Sequence, residues 1–277
     1  MVSTAQDQSK DHWSSEAYSA SAAFVPKLTQ TLLKYLDPQP TDKVLDIGCG
    51  DGKFTETFLP HVNKVLGVDA SPSMIQSANE DYAGEKAEFR VLDCCYLEQD
   101  TSVANGTWDK VVSNAALHWI LRNESTRMSA LRGVYASLRP GGTFAFEMGG
   151  HGNVAEVTTA LMYALLRQGV PFEKVRAADP WFFPSANWMT EALESIGFKV
   201  TKMETEYRPT LMTSSSSGGL PGWVRLMGAS FLDALAPEKR EATVQEICDV
   251  LQSVVTRVED GSQWLGYVRL RGVAQKI

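Results

Sequence analysis

The sequence predicts an open α/β fold, a mostly parallel sheet with helices on both faces. Two observations carry that expectation. Short apolar runs alternate with amphipathic helical patterns between residues 43 and 148, the pattern of parallel strands joined by crossover helices. The first of these runs passes straight into glycines at alternate positions, in the stretch K-V-L-D-I-G-C-G-D-G-K at 43 to 53. Open sheets of this class bind ligands beyond the carboxyl ends of their strands, and a strand that gives way to a glycine turn marks that place.

Taken in order, residues 1–11 are polar and expected to be disordered. A helix is expected over about 14–36, interrupted or kinked at Pro26, and D-P-Q-P-T-D at 37–42 is a loop. The first strand covers 44–47, and a short helix begins after Gly52. The second strand, 65–69, leads into S-P-S-M-I-Q-S-A-N-E-D-Y. There Ser71 suits a helix N-cap and Pro72 the first turn, with Met74, Ile75, Ala78 and Tyr82 at helical spacing. Strands follow at 89–93 and 108–116. A helix at 124–139 presents Met128, Leu131, Tyr135 and Leu138 on one face and stops at Pro140-Gly141-Gly142; a fifth strand covers 143–148.

The second half is less regular. Residues 152–168 read as helix, and N-W-M-T-E-A-L-E-S-I-G-F closes another helix with Gly197 as its C-cap before a strand to about Tyr207. T-S-S-S-S-G-G-L-P-G at 213–222 is low in complexity and expected to be a mobile loop. Trp223, Leu226, Met227, Phe231 and Leu235 line one amphipathic helix; Val244, Ile247, Leu251, Val254 and Val258 line the next. Y-V-R-L-R-G-V-A closes the chain as a strand. Three regions result: an N-terminal lid helix region at 1–36, a ligand-binding core at 37–150, and the rest of the sheet at 151–277. The last carries an inserted helical lid at about 170–190 and 210–260.

The chain has 277 residues, 44% hydrophobic and 21% charged, which suits one large soluble domain or a core with an inserted cap. The 26 basic and 33 acidic residues leave −7 at neutral pH, and no stripe of lysine and arginine forms, which argues against nucleic acid and anionic membrane as partners. There is no run of 18 apolar residues to span a membrane and no apolar signal core. The four cysteines, Cys49, Cys94, Cys95 and Cys248, fit no zinc spacing and are expected reduced. The expectation is a cytoplasmic monomer without a metal.

Two phosphate readings of the glycine turn fail. A dinucleotide fingerprint requires a sixth-position glycine where Lys53 stands, and a nucleoside triphosphate loop requires a hydroxyl where Phe54 stands. What remains, Asp46-x-Gly48-x-Gly50-x-Gly52, resembles motif I of class I S-adenosylmethionine-dependent methyltransferases. Asp69 lies 21 residues after Gly48 at the tip of the second strand, where a carboxylate can accept from both ribose hydroxyls. The resemblance implies a Rossmann-like, mostly parallel seven-stranded sheet and S-adenosylmethionine as cofactor. It places Asp93 and Cys94 at the adenine, Asn114 near the methionine moiety, Gly48 and Gly50 under the ribose and amino-acid tail, and Ala70 and Met74 among the cofactor-binding residues. The cofactor has no phosphate but carries a sulfonium and an ammonium group, so carboxylates and carbonyls suit it. Asp46 either anchors the turn or meets the ammonium through water. A strand-end aspartate taken singly also reads as a turn or cap residue.

N-A-A-L-H-W at 114–119, E-M-G-G-H-G-N-V-A at 147–155 and D-P-W-F-F-P-S at 179–185 resemble the trans-aconitate methyltransferase-like members of that class. Those relatives methylate small carboxylic acids or varied natural products, which implies a small-molecule acceptor and favours O-methylation. His118 is a candidate general base, or a residue that only hydrogen-bonds the backbone or substrate. Trp119 packs on cofactor, donates its N–H to substrate, or lies in the core. His151 is a second candidate base. Tyr18 resembles aromatics that close over the cofactor, where a ring face near the sulfonium gains cation–π attraction. Trp181, Phe182, Phe183 and Trp223 form a substrate pocket or lid core. A carboxylate acceptor calls for a basic clamp, and Arg176, Arg208, Arg225, Arg269 and Arg271 are available; the shared face of Arg269 and Arg271 reads as solvated. The competing functions are a non-methylating protein of the same fold, cyclase-like or regulatory, and a nicotinamide dehydrogenase, which Lys53 opposes.

Overall fold

A computed structural model of the chain describes residues 29–213 and 218–277. Its strands are β1 (Lys43–Ile47), β2 (Lys64–Asp69), β3 (Ala87–Val91), β4 (Trp108–Asn114), β5 (Leu138–Gly149), β6 (Phe198–Leu211) and β7 (Trp264–Lys276). Among the described residues they form one seven-stranded sheet in the order β3-β2-β1-β4-β5-β7-β6. The pairs from β3 to β5 are parallel; β7 runs antiparallel to both β5 and β6. In β1 and β2 every residue after the first lysine is buried or nearly so. Such unbroken apolar runs are what a parallel strand needs when both of its faces are covered. Strand order reverses at β1, which pairs with β2 on one side and β4 on the other.

The helices are α1 (Gln30–Leu36), α2 (Lys53–Phe58), α3 (Pro72–Tyr82), α4 (Leu117–Ile120), α5 (Glu124–Ser137), α6 (Ala155–Arg167), α7 (Phe172–Ala177), α8 (Ala186–Ile196), α9 (Gly219–Met227), α10 (Ala229–Asp233) and α11 (Pro237–Val255). On one face Val111, Phe144 and Phe146 pack with Leu131 of α5 and Leu193 of α8. On the other, Val44, Val112 and Ala145 pack with Leu32, Leu36, Phe54 and Phe58 of α1 and α2. A separate core joins α6 and α9–α11 through Leu161, Trp223, Phe231, Ile247 and Leu251, and reaches Leu265 and Tyr267 of β7. No helix among the described residues is long and apolar enough to cross a membrane.

Local signals act as the sequence implies. The Ser71 hydroxyl accepts the Met74 N–H at 3.3 Å with Pro72 in the first turn, and Gly197 closes α8 at φ 113°. Other boundaries differ. Of the N-terminal helix only α1 is described; the rest, with Pro26 and Tyr18, lies outside the described residues. β5 begins at Leu138, not 143, because Leu138 already pairs with Trp108 across a register shift. The helix expected over 223–235 divides at Gly228 into α9 and α10. Residues 219–222 of the expected loop belong to α9, and 214–217 lie outside the described residues. On α11 the buried row runs Val244, Ile247, Cys248, Leu251, Val255, which leaves Val254 66% exposed; Val258, expected on the same row, lies past the helix end at Val255 and is 101% exposed. The four cysteines are free thiols.

Helix α5 crosses the short turn Cys94–Gln99 at Gly133, where a Cβ would lie 2.5 Å from the Glu98 backbone nitrogen. Gly133→Val should therefore destabilise the fold by about 2 kcal/mol through overpacking. A lower urea midpoint at unchanged m-value is the expected readout; an unchanged midpoint would show that the turn yields freely.

Candidate functional site

The site begins where β1 ends. Gly48, Gly50 and Gly52 all take positive φ, at 70°, 56° and 80°. A side chain at Gly48 would also collide with Ala116, whose Cβ lies 2.2 Å from the Cβ position. The turn is tied to the neighbouring strand twice. The N–H groups of Gly48 and Cys49 donate to the Val68 carbonyl at 2.7 and 3.1 Å. The Asp69 carboxylate accepts the Gly50 N–H at 3.0 Å and the Ser71 N–H at 2.9 Å. Asp93 works alike at the tip of β3, accepting the Cys95 N–H at 2.9 Å and opening the turn at Cys94. Both carboxylates thus serve as turn residues, and both face the cavity; each oxygen has a second lone pair for a ligand.

That cavity has a volume of about 740 Å³ and lies along the carboxyl edge of the sheet. It brings together Asp46, Gly48, Gly50, Asp69, Ala70, Met74, Asp93, Cys94, Asn114 and Trp119. The opposite wall, Ala177, Ala178 and Pro180 with Leu226, Met227, Ala229 and Ser230, falls in the segments 170–190 and 210–260, but sequence reasoning singled out none of these as site residues, nor Cys95 and Arg122 at the rim. The Ser230 hydroxyl donates to the Ala178 carbonyl at 2.7 Å and so joins the two segments of that wall. Ala115, beside Asn114, holds φ 57°, a conformation costly for a residue with a Cβ and common near ligands.

Asp46 is 1% exposed. Its Oδ2 accepts the Thr55 hydroxyl at 2.7 Å, while Oδ1 has no hydrogen-bond partner among the described residues. Burial pushes its carboxyl up to about 7, with the Thr55 bond opposing and the Asp69 charge reinforcing. Asn114 Oδ1 is likewise buried without a partner among the described residues. Two orphaned acceptors on one wall call for a ligand rich in donors or positive charge.

Other candidates stand elsewhere. His118 is 8% exposed and does not line the cavity; its Nδ1 accepts the Gly149 N–H at 3.3 Å. Burial, with the Arg269 charge, lowers its pKa far below the usual histidine value, so the ring is neutral and carries its proton on Nε2. The bond to Gly149 is the backbone hydrogen bond named in one of its two sequence readings. His151 is exposed and also outside the cavity lining, its N–H donating to the Pro184 carbonyl. Trp181 and Trp223 are 8% and 2% exposed and pack against each other, with Phe183 stacked on Trp181; none of these aromatics lines the cavity. Trp119 bridges the two sets, lining the cavity while its ring meets Trp181 at 5.7 Å.

The face carrying Arg269 and Arg271 is not solvated: each is 4% exposed. Both turn toward Glu147 of β5, 2% exposed, which receives Arg269 Nε at 3.1 Å, Arg271 Nε at 2.8 Å and Arg208 Nη2 at 2.8 Å. Burial alone would raise the Glu147 pKa, but Arg269, Arg208 and Arg271 together hold it below the usual carboxylate range. Among the described residues no group of three or more His, Cys, Asp or Glu side chains is placed to hold a metal ion.

Residues 44–142 match the family model described as a methyltransferase domain. The chain is 36% identical over 267 residues to an uncharacterised methyltransferase of Schizosaccharomyces pombe, covering 96% of this chain and 99% of that protein. It is 27% identical over 254 residues to a trans-aconitate 2-methyltransferase of Variovorax paradoxus, covering 89% and 92%. Among solved structures, one described as a putative methyltransferase from Bacillus halodurans superposes with a TM-score of 0.58 at 16% identity, covering 90% of this chain and 99% of that one. The chain belongs to the class I S-adenosylmethionine-dependent methyltransferases and is similar to the trans-aconitate methyltransferases among them. S-adenosylmethionine is its cofactor, and the acceptor-rich wall at Asp46 and Asn114 fits that cationic ligand.

The raised pKa of Asp46 has a measurable consequence in the ligand-free protein. The folded state holds this proton more tightly than the unfolded chain does. Stability therefore falls as pH rises from the ordinary carboxylate range toward 7, and the full cost is present above it. Asp46→Asn cannot ionise, so its advantage in melting temperature over the wild type should grow from pH 5 to pH 8. A constant difference across that range would show that Asp46 titrates normally.

Proposed function

We propose that this methyltransferase esterifies a small carboxylic acid. The supporting observation is that a single chamber of about 740 Å³ runs from the acidic strand tips to the wall formed by Ala178, Pro180 and Met227. A chamber of that size suits a small molecule together with the cofactor. The trans-aconitate 2-methyltransferase that resembles the chain over 89% of its length supports an acid as acceptor.

In this reading Asp69 accepts from the ribose hydroxyls and Asp93 with Cys94 holds the adenine. Asp46 and Asn114 offer their unused oxygens to the ammonium end. When bound, S-adenosylmethionine supplies a methyl group already activated on a sulfonium, taken up as a new C–O bond forms, the C–S bond breaks and its electron pair stays on sulfur. A carboxylate acceptor is ionised at neutral pH and has no proton to lose. A neutral His118 whose Nδ1 is engaged by Gly149 is compatible with that reaction, and its proposed role is to support the segment that presents Trp119. Neither His118 nor the exposed His151 is assigned a proton transfer. Trp119, Pro180 and Met227 line the chamber and keep water from the reacting atoms.

Calorimetric titration with S-adenosylhomocysteine, with NADH as control, tests the cofactor half. Asp69→Ala should weaken binding at least about tenfold, since it removes charged hydrogen bonds and unties Gly50. The acceptor half is tested by supplying trans-aconitate, tricarballylate, succinate, a phenol and an amine. Methyl esters of the acids are the expected products, identified by mass. Transfer only to the phenol or the amine would refute the esterification, and unchanged affinity in folded Asp69→Ala would refute the cofactor assignment.

A further inference from the structure

The arginine cluster lies on β6 and β7, outside the residues that line the chamber, with Arg269 near enough to the buried His118 ring to act on its charge, and its stoichiometry is unusual. One buried carboxylate, Glu147, meets three guanidinium groups. Arg271 is balanced a second time by Glu204 and Glu206 of β6. Arg269 is not: its Nη2 is buried and has no hydrogen-bond partner among the described residues. A structural ion pair needs one guanidinium for one carboxylate, and folded proteins rarely leave a buried guanidinium donor unmade.

Position gives the surplus a meaning. Asn114, on the chamber wall, pairs in register with Glu147, which pairs with Arg271, so the three share one face of the sheet. Arg269 pairs with Gly149, the last residue of β5, and so stands nearer the carboxyl edge than Arg271. From β4 to β7 is two strand spacings, about 10 Å. A small polycarboxylic acid is shorter than that, so its second carboxylate meets Arg269 only where the arginine side chain reaches back toward β4. The edge is also sorted by polarity, with orphaned acceptors at Asp46 and Asn114 and an orphaned donor at Arg269. The first pair suits a cation, the second an anion.

We propose that Arg269 and Arg208, held in place by Glu147, bind a second carboxylate of the acceptor, one that is not methylated. The assignment rests on the carboxylic-acid reading above and adds its specificity determinant. A planar guanidinium presents paired donors that match a carboxylate. Glu147 holds Arg269 by one edge, through Nε, and holds Arg208 through both Nη2 and Nη1. It also offsets part of the positive charge, which favours a monoanionic carboxylate over a dianionic phosphate. An acid with one carboxylate would reach the methyl group but leave this anchor unused.

The test titrates the protein, saturated with S-adenosylhomocysteine, with tricarballylate and with butyrate. Tricarballylate should bind the wild type and bind Arg269→Gln at least about tenfold more weakly, with partial recovery in Arg269→Lys. Butyrate should bind weakly and alike in all three, and affinity for S-adenosylhomocysteine should not change. In turnover, KM for trans-aconitate should rise at least about tenfold with a smaller change in kcat. Should Arg269→Gln fail to fold, Arg208→Gln gives the same readout, since the Arg208 side chain is 19% exposed and less embedded. Equal tricarballylate affinity in a folded variant, or none in the wild type, overturns the anchor. If the wild type forms methyl esters while the variants keep its KM, only the anchor falls. If it methylates uncharged acceptors alone, the carboxylic-acid reading falls and the anchor with it.

Discussion

The Asp69 carboxylate holds the site in register. By accepting from Gly50 and Ser71 it clamps the glycine turn of β1 to the tip of β2 and to the start of α3. The turn can lie that close only because Gly48 has no side chain to meet Ala116, which follows β4. Three strand tips are therefore positioned by one carboxylate and one missing methyl group. The sheet beneath supplies rigidity, its central strands buried on both faces.

The two sides of the sheet's carboxyl edge obey different electrostatic logic. On the β1–β4 side, burial and crowding of carboxylates leave acceptors unsatisfied, a cost that a cationic ligand relieves. On the β5–β7 side the same degree of burial is met by pairing, with one glutamate organising three arginines. A low local dielectric strengthens the pairing on the β5–β7 side and raises the cost of the unpaired acceptors on the other. His118 stands between them, kept neutral by burial and the Arg269 charge, so it adds no third charge to the edge.

What the sequence discloses is local. The strand runs, the glycine turn, the Ser71 cap and the acidic strand tips are legible because each signal lies within a few residues of its consequence. The arginine cluster was hidden because its organising partner lies 122 residues from Arg269, and only the β5–β7 register shows that they meet. Without that register, alternate arginines on a terminal strand look like a wet face. The far wall's individual residues escaped for another reason: within the expected lid segments, alanines and a serine have no periodic signature. The hydrogen bond from Gly149 to His118, across 31 residues, left the histidine's setting unreadable from N-A-A-L-H-W alone.

The far wall depends on little. Two short helices, α7 and α10, meet through small side chains and the bond from Ser230 to Ala178. Enlarging one of those alanines would shorten the chamber without touching a strand or a cofactor-side carboxylate. Acceptor range can thus drift between descendants by single substitutions, while the machinery that holds the methyl donor is inherited unchanged.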